Sequence, residues 1–465
     1  MERRFAKRLE QLEADAELRP QLLKGLLPRL ERFLQPFTDR LQAGGLQDTA
    51  QKYVAGLLSD VPRKNAESIA YLHDQGRQNM QKFVGQAAWS HPPLLEELAQ
   101  QVGAELGEAD GVLVFDPSAF PKCGTASVGV QRQWCGRLGK VDNCQVGVYL
   151  GYVTRREHAL VNFRLYLPQS WAKDKKRRSK AGIPPEVRFR TRHQLALDML
   201  DEHGAWLPHA WITGDDEMGR PMWFRQALQQ RHERYLLRVP SNTLVRDLQA
   251  PAPPYRGRGK RPQVLFVRVD HWAQALAAEA WTTIEVRDGE KEPLVVQVAI
   301  TRVLAKTDRR RACGEETLVI LRRLQADGSW EHDYCLSNGS VEIAPAEWAR
   351  VGRAEHRIED CLKRAKGEAG LADYEVRTWS GWHHHQTLAL IATWFLVKET
   401  RRGKKMDTGL DGAAACYSDC PAAASAAGGR WTRSYLSHGD PSPSAQRANT
   451  LLPLEEAQTL AAATA

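Results

Sequence analysis

The sequence holds no apolar run long enough to cross a bilayer. The longest, Leu388 to Val397, is about half of the ~20 residues that a membrane-spanning helix needs. Its opening, Met1-Glu2-Arg3-Arg4-Phe5, lacks the apolar centre of a secretory signal. These two absences lead to an expectation of a cytosolic protein without a membrane partner. Cysteine is scarce: the 8 residues Cys123, Cys135, Cys144, Cys313, Cys335, Cys361, Cys416 and Cys420 include no CxxC pair. In a reducing compartment they are expected as free thiols, with no zinc site indicated. An acidic excess is also missing, for 65 Lys and Arg outnumber 56 Asp and Glu and leave a net charge of +9. Such a balance suits a polyanionic partner but does not identify one. The 465 residues exceed what one compact core normally holds, so two or more domains are expected.

Up to about residue 104 the pattern is helical. Leu22, Leu23, Leu26, Leu27, Leu30, Phe33, Leu34 and Phe37 recur at three-to-four-residue spacing, with Pro28 and Pro36 as interruptions. After a break at Ser59-Asp60-Val61-Pro62, a second run carries Ile69, Leu72, Met80 and Phe83, with Arg63, Lys64, Arg77 and Lys82 in or beside it. Two helices around a turn suit a DNA-binding pair, and a packing domain with a basic face fits as well. Residues 105–240 change texture. Gly111 to Phe115 reads as a buried strand ending on Asp116. Residues 144–150 and 161–167 alternate as an antiparallel pair. His193 to Glu202 reads as a helix, Trp206 to Thr213 as a strand followed by Asp215, and Tyr235 to Val239 as another strand. Strands, helix and strand in this order predict an α/β fold with an RNase H-like core. Residues 241–344 read as a β-rich insertion, with strands expected at 264–269, 282–286, 294–303 and 317–321. Residues 345–402 return to helix and complete the core.

Cutting a phosphodiester with two cations takes several carboxylates from different elements, converging on ions about 4 Å apart. Hard oxygen donors of this kind suit Mg²⁺. Asp116 and Asp215, each beyond a predicted strand, fit that task. A third acid comes from the predicted helix 354–366, whose buried stripe is Ile358, Leu362 and Ala365. Glu359 and Lys366 lie seven residues apart, on one face. The carboxylate can reach metal there while the lysine holds a phosphate; Asp360 is the second choice of ligand.

In order along the chain stand Asp116-Pro117-Ser118-Ala119-Phe120-Pro121-Lys122-Cys123-Gly124, then Asp215-Asp216-Glu217-Met218-Gly219, then Arg357-Ile358-Glu359 through Lys366, and then Tyr374 to Trp379 and Gly381-Trp382-His383-His384-His385. Together they resemble the DDE transposases of bacterial insertion sequences, from roughly Phe37 to Arg402. The resemblance implies an RNase H-like core interrupted by a β-rich insertion. It implies Mg²⁺-dependent cleavage and strand transfer, with Mn²⁺ able to substitute, and Asp116, Asp215 and Glu359 as catalytic metal ligands. It also implies double-stranded DNA as partner, an oligomer on that DNA, and a bacterial cytoplasmic, nucleoid-associated location. One departure stands out. Related cut-and-paste enzymes carry a Tyr-Arg-Glu-Lys signature; Glu359 and Lys366 match it, while its tyrosine and arginine positions hold Gly352 and Glu355. Arg353 or Arg357 is the nearby replacement for the arginine. A catalytically inactive DNA-binding descendant, and a plain nuclease of the same fold, are the rival readings.

The densest basic cluster is Lys173, Lys175, Lys176, Arg177, Arg178 and Lys180. It reads as a mobile phosphate-gripping loop, and Lys366 and Arg357 join it as expected DNA contacts. A smaller cluster, Lys306 with Arg309, Arg310 and Arg311, reads as a hairpin tip. The run His383-His384-His385 suits packing or DNA contact better than metal, since consecutive residues cannot all face one ion. Residues 403–465 turn rich in Ala, Gly, Ser and Pro and are expected to be disordered. A shifted reading frame accounts for the abrupt change. Read one nucleotide downstream, Met406 before Asp407 must give Trp, and Glu455-Glu456-Ala457 must give two basic residues.

Overall fold

In this computed structural model the described residues are 25–255, 257–286, 294–307 and 314–407. Among these described residues five helices lead: α1 (Leu26–Thr38), α2 (Gly44–Leu57), α3 (Ala66–Leu72), α4 (Arg77–Gly85) and α5 (Pro92–Leu106). The expected periodicity holds in α1, where Leu30, Phe33, Leu34 and Phe37 are buried. Neither proline ends that helix. Pro28 falls in the first turn, whose N–H groups have no helical acceptor in any case, and Pro36 lies near the last turn. The second run is two helices, with the Asn65 side chain capping α3 by accepting from Ser68 N at 2.9 Å and Asp74 at φ 50 between them. Lys64 is not on a basic face: it is buried and its Nζ donates to the carbonyls of Leu57, at 2.7 Å, and Glu368.

The central elements follow as β1 (Val112–Pro121), β2 (Gln131–Cys135), β3 (Lys140–Val153), β4 (His158–Leu165), α6 (Gln169–Lys173), α7 (Lys175–Lys180), α8 (Arg192–His203), β5 (Trp211–Gly214), α9 (Asp216–Gly219), α10 (Met222–Gln230) and β6 (Tyr235–Arg238). Strand β3 joins antiparallel to β1 and β4, whereas β1, β5 and β6 run parallel. Two expectations shift. The strand expected over 206–213 begins only at Trp211, because 204–206 form a short 3-10 turn and Pro208 cannot donate to a ladder. Strand β1 does not stop at Asp116: its parallel pairing ends at Phe115, but its antiparallel ladder with β3 continues to Pro121.

The insertion supplies β7 (Leu244–Asp247), β8 (Val267–Arg268), α11 (Val269–Gln274), β9 (Thr282–Val286), β10 (Leu294–Lys306), β11 (Glu315–Leu324) and β12 (Trp330–Ser337). It is not a detached sheet. Strand β12, which the expected set lacks, pairs with β6. All twelve strands thereby join one mixed sheet in the order β2-β3-β1-β5-β6-β12-β11-β10-β7-β8, with β4 on β3 and β9 on β10. The strand expected at 264–269 shrinks to Val267–Arg268, since Pro262 precedes it and Leu265 is 77% exposed. The buried Arg225–Glu316 pair, at 2.7 Å, ties α10 to β11.

The chain closes with α12 (Pro345–Gly352), α13 (Ala354–Glu368) and α14 (Trp379–Asp407). Helix α14 runs past residue 402, and the rest of the 403–465 stretch, with its expected disorder and frame shift, lies outside the described residues. So do Arg309, Arg310 and Arg311. One apolar core extends from Leu30 in α1 to Val397 in α14. Among the described residues no helix is long and apolar enough to cross a membrane.

Candidate active site

The parallel register sets three polar residues side by side. Phe115, Gly214 and Leu237 are partners across β1, β5 and β6, and the next residues are Asp116, Asp215 and Arg238. Up to that point the strands are buried and mostly apolar, with the hydroxyl of Thr213 donating to the carbonyl of Leu236 at 2.6 Å. Beyond Gly214 the chain turns at once into α9, whose start Asp215 caps by accepting from Met218 N at 2.9 Å. A Cβ on Gly219 would stand 1.8 Å from the carbonyl oxygen of Arg238. Only glycine lets α9 press this closely on β6, which explains the glycine in the Asp215 segment.

Helix α13 brings the third acid. It packs so closely on β3 that a Cβ on Gly151 would lie 2.3 Å from Ile358. Ile358, Leu362 and Ala365 are buried as the helical stripe requires. Lys366 reaches into the site, where its Nζ donates to Ser118 Oγ at 2.7 Å and lies 5.1 Å from the Phe120 ring centre. Burial lowers its ammonium and the Asp116 carboxylate holds it up. Asp116 itself is pushed up to about 8, first by burial, then by the charges of Asp215 and Glu359, with Lys366 opposing. Asp215 rises to about 7, again first through burial, with the Met218 N–H opposing and Glu217 and Asp216 adding to the rise. Like charges thus act together on Asp116, and a cation there would relieve them.

Glu359 faces outward. Its side chain is 54% exposed and its carboxylate lies 3.4 Å from His356 Nδ1. Asp360 is exposed too, at 3.8 Å from the same imidazole. Among the described residues no three His, Cys, Asp or Glu side chains stand in ready metal-holding geometry. The acids are oxygen donors, the chemistry that a hard divalent ion takes, and Asp116 feels the charges of both partners.

Sequence reasoning missed a fourth carboxylate as part of the site. Glu355, one turn before Glu359, has a side chain only 5% exposed, with Oε2 3.1 Å from Arg238 Nε. The approach is an ion pair without hydrogen-bond alignment, for neither of these atoms makes a hydrogen bond. Burial raises the Glu355 carboxyl well above the usual range; Arg238 pulls it down while Asp215, Glu359 and Asp116 push it up. Arg238 also donates to Asp333 at 3.2 Å. Its burial works against its charge, and Glu355 and Asp333 outweigh that. The i, i+4 spacing of Glu355 and Glu359 is the signal that could have found it.

The expected DNA contacts are placed as follows. Arg357 turns away, donating to the carbonyls of Thr154 at 2.6 Å and Arg155 at 3.3 Å. The basic cluster is helical rather than a loop. Asp174 caps α7 by accepting from Arg177 N at 3.0 Å, and the Arg177 guanidinium stacks 3.6 Å over the buried Trp171 ring. Arg178 donates to Pro184 O at 2.7 Å. Lys173, Lys175, Lys176 and Lys180 remain exposed. The three histidines are core residues: His385 Nδ1 meets Tyr53 Oη at 2.9 Å, His384 lies between the carbonyls of Val84 and Trp89, and His383 faces Trp379 O. Cys123, Cys135, Cys144, Cys335 and Cys361 are free thiols.

Residues 32–293 match the family described as DDE superfamily endonuclease. No curated protein matches the chain. Among solved structures, the piggyBac transposase synaptic complex with hairpin DNA is similar at 9% identity and a TM-score of 0.39, over 86% of this chain and 74% of that one.

Proposed function

We propose that this chain, which belongs to the DDE superfamily endonucleases, is a transposase that cleaves DNA at the ends of an insertion sequence and transfers the cut strand. What supports this reading is that Asp116 directly follows the parallel part of β1, beside the β5–α9 turn that carries Asp215, and that the charges of Asp215 and of Glu359 on α13 both push the Asp116 carboxyl up. The strand order β4-β3-β1-β5-β6 supports an RNase H-like core, in which 105–240 and 345–402 are its two parts and 241–344 its insertion; residues 1–104, helical among those described, precede it as a DNA-binding region. The three acids would hold Mg²⁺ or Mn²⁺. A bound divalent pair would supply the charge that activates an attacking hydroxyl and steadies the leaving oxygen.

The chain's own groups do the rest. Lys366, half-buried and held up by the charge of Asp116, holds a phosphate oxygen at the cut. Lys173, Lys175, Lys176 and Lys180 present exposed charge to the duplex backbone, while Arg177, Arg178 and Arg357 brace local structure. A double-stranded partner, an oligomer on that DNA and residence with the bacterial nucleoid belong to the same reading. One observation favours a catalytically inactive DNA-binding descendant instead: Glu359 points outward toward His356.

End-labelled element duplexes decide between them. Wild-type protein with Mg²⁺ should nick such a duplex and join the freed 3′ end to a second one. Asp116→Asn, Asp215→Asn and Glu359→Gln should each reduce nicking by at least ~100-fold yet bind the duplex normally in EDTA. Normal nicking by Glu359→Gln would remove that residue from the site; nicking without joining would leave a nuclease only.

A further inference from the structure

The segment 248–266 links β7 to β8 and has no regular structure among its described residues. Both its feet are fixed, because Leu244 pairs with Arg268 and Val245 with Val267 at the end of the sheet's strand order. A long irregular connection inside a packed domain is uncommon and is usually either functional or a linker. This one carries Arg256, Arg258, Lys260 and Arg261 and not one acidic residue. Arg258, Lys260 and Arg261 are exposed. At the foot, Arg268 is answered by Asp270 at 2.5 Å, whereas no ion pair among the described residues engages those three. Four cations on one short stretch repel each other unless something anionic lies against them.

The backbone between the cations is bare. Gly257 and Gly259 flank Arg258, both at φ +80, and a Cβ on either would meet nothing within 4 Å. Pro251, Pro253, Pro254 and Pro262 stiffen the approaches. At the far foot, the Phe266 ring lies between Arg246, at 4.3 Å, and Lys306, at 4.0 Å. Lys306 ends β10, so a second source of positive charge adjoins the segment.

We propose that segment 248–266 is a strap that enters the minor groove of A/T-rich duplex DNA, a contact that rests on the DNA-binding part of the function proposed above. The minor groove of B-DNA is about 6 Å wide and admits neither a helix nor a two-stranded ribbon. A single strand whose long cationic side chains alternate with bare glycines does fit. A/T tracts narrow the groove and deepen its negative potential, which draws arginine into it. Duplex RNA, with its wide and shallow minor groove, offers the strap no such slot.

The test uses the full chain in EDTA, so cutting plays no part, and measures fluorescence anisotropy on A/T-rich and G/C-rich duplexes of equal length. Wild type should bind the A/T duplex about tenfold more tightly, and netropsin, a small minor-groove ligand, should erase the difference. Replacing Arg256, Arg258, Lys260 and Arg261 with Gln should abolish the preference. So should Gly257→Val with Gly259→Val, which keeps the charge but fills the bare backbone. Equal binding to both duplexes by wild type, or a preference that survives the four Gln substitutions, overturns the strap. A wild type that prefers A/T duplex but never cuts DNA upholds the strap and sinks the transposase reading instead.

Discussion

Arg238 answers a problem set by its neighbours. The charges of Asp215 and Glu359 push the Asp116 carboxyl up, and Glu355 adds a buried carboxylate one helical turn from Glu359. A guanidinium 3.1 Å from Glu355 and 3.2 Å from Asp333 makes that fourth acid tolerable. Removing one partner of a buried pair strands the other, which typically costs about 3–5 kcal/mol, whereas removing both costs far less. Arg238→Met should therefore destabilise metal-free protein by about 3–5 kcal/mol, and adding Glu355→Gln should recover most of the loss. Urea unfolding of the two single variants and the double variant measures this; simply additive losses would mean that the two side chains do not depend on each other. Little of the pair could be read from the sequence. Glu355 stands where the family signature has arginine, but nothing local shows that its cation comes from β6, more than a hundred residues earlier in the chain (roughly the separation that only tertiary packing closes).

At the scale of elements, α14 holds its histidines without charge. Burial lowers His383 and His385 to about 3, and His91, packed on His383, to about 2. The sign of the linkage follows. Above pH 6.5, the ordinary histidine value, both folded and unfolded chains keep these rings neutral. Below it the unfolded chain takes up protons that the folded one refuses, so stability falls with pH down to about 3. Thermal unfolding should lose ground steadily from pH 6.5 toward pH 4, and His385→Asn should flatten part of that slope; a slope unchanged in the variant would free His385 from blame. Helix α13 and strands β3 and β4 were legible because one periodicity ran unbroken through Ile358, Leu362 and Ala365, and through the alternation at 144–150 and 161–167. Other elements were hidden for definite reasons. Trp330 to Ser337 mixes charge with apolar residues, so β12 shows no clean alternation, and only its pairing with β6 makes it a strand. The basic cluster at 173–180 reads as a loop until Asp174 is seen to cap a turn and Trp171 to seat Arg177.

Over the whole molecule, the exposed lysines of α6 and α7 and the acids of the proposed cutting site occupy different elements, so DNA binding and cutting should fail separately. Replacing Lys173, Lys175, Lys176 and Lys180 with Gln should weaken binding to all duplexes alike and flatten the plot of log affinity against log salt, by up to about 0.9 per lost phosphate contact. Titrations at several salt concentrations measure it, and an unaltered slope would take α6 and α7 off the DNA. The twelve-stranded sheet has a consequence in time as well. Asp116 and Asp215 leave the ribosome early, but Glu359 follows only after β7 to β12 have been made. At ~5–20 residues per second, that stretch takes on the order of ten seconds to synthesise. Later still comes α14, whose Glu399 grips Arg29 at 2.7 Å and whose His385 meets Tyr53, so α1 and α2 wait for α14. On the function proposed above, a nascent chain therefore carries two acids without the third, and translation itself would postpone any power to cut until the polypeptide has passed Glu399.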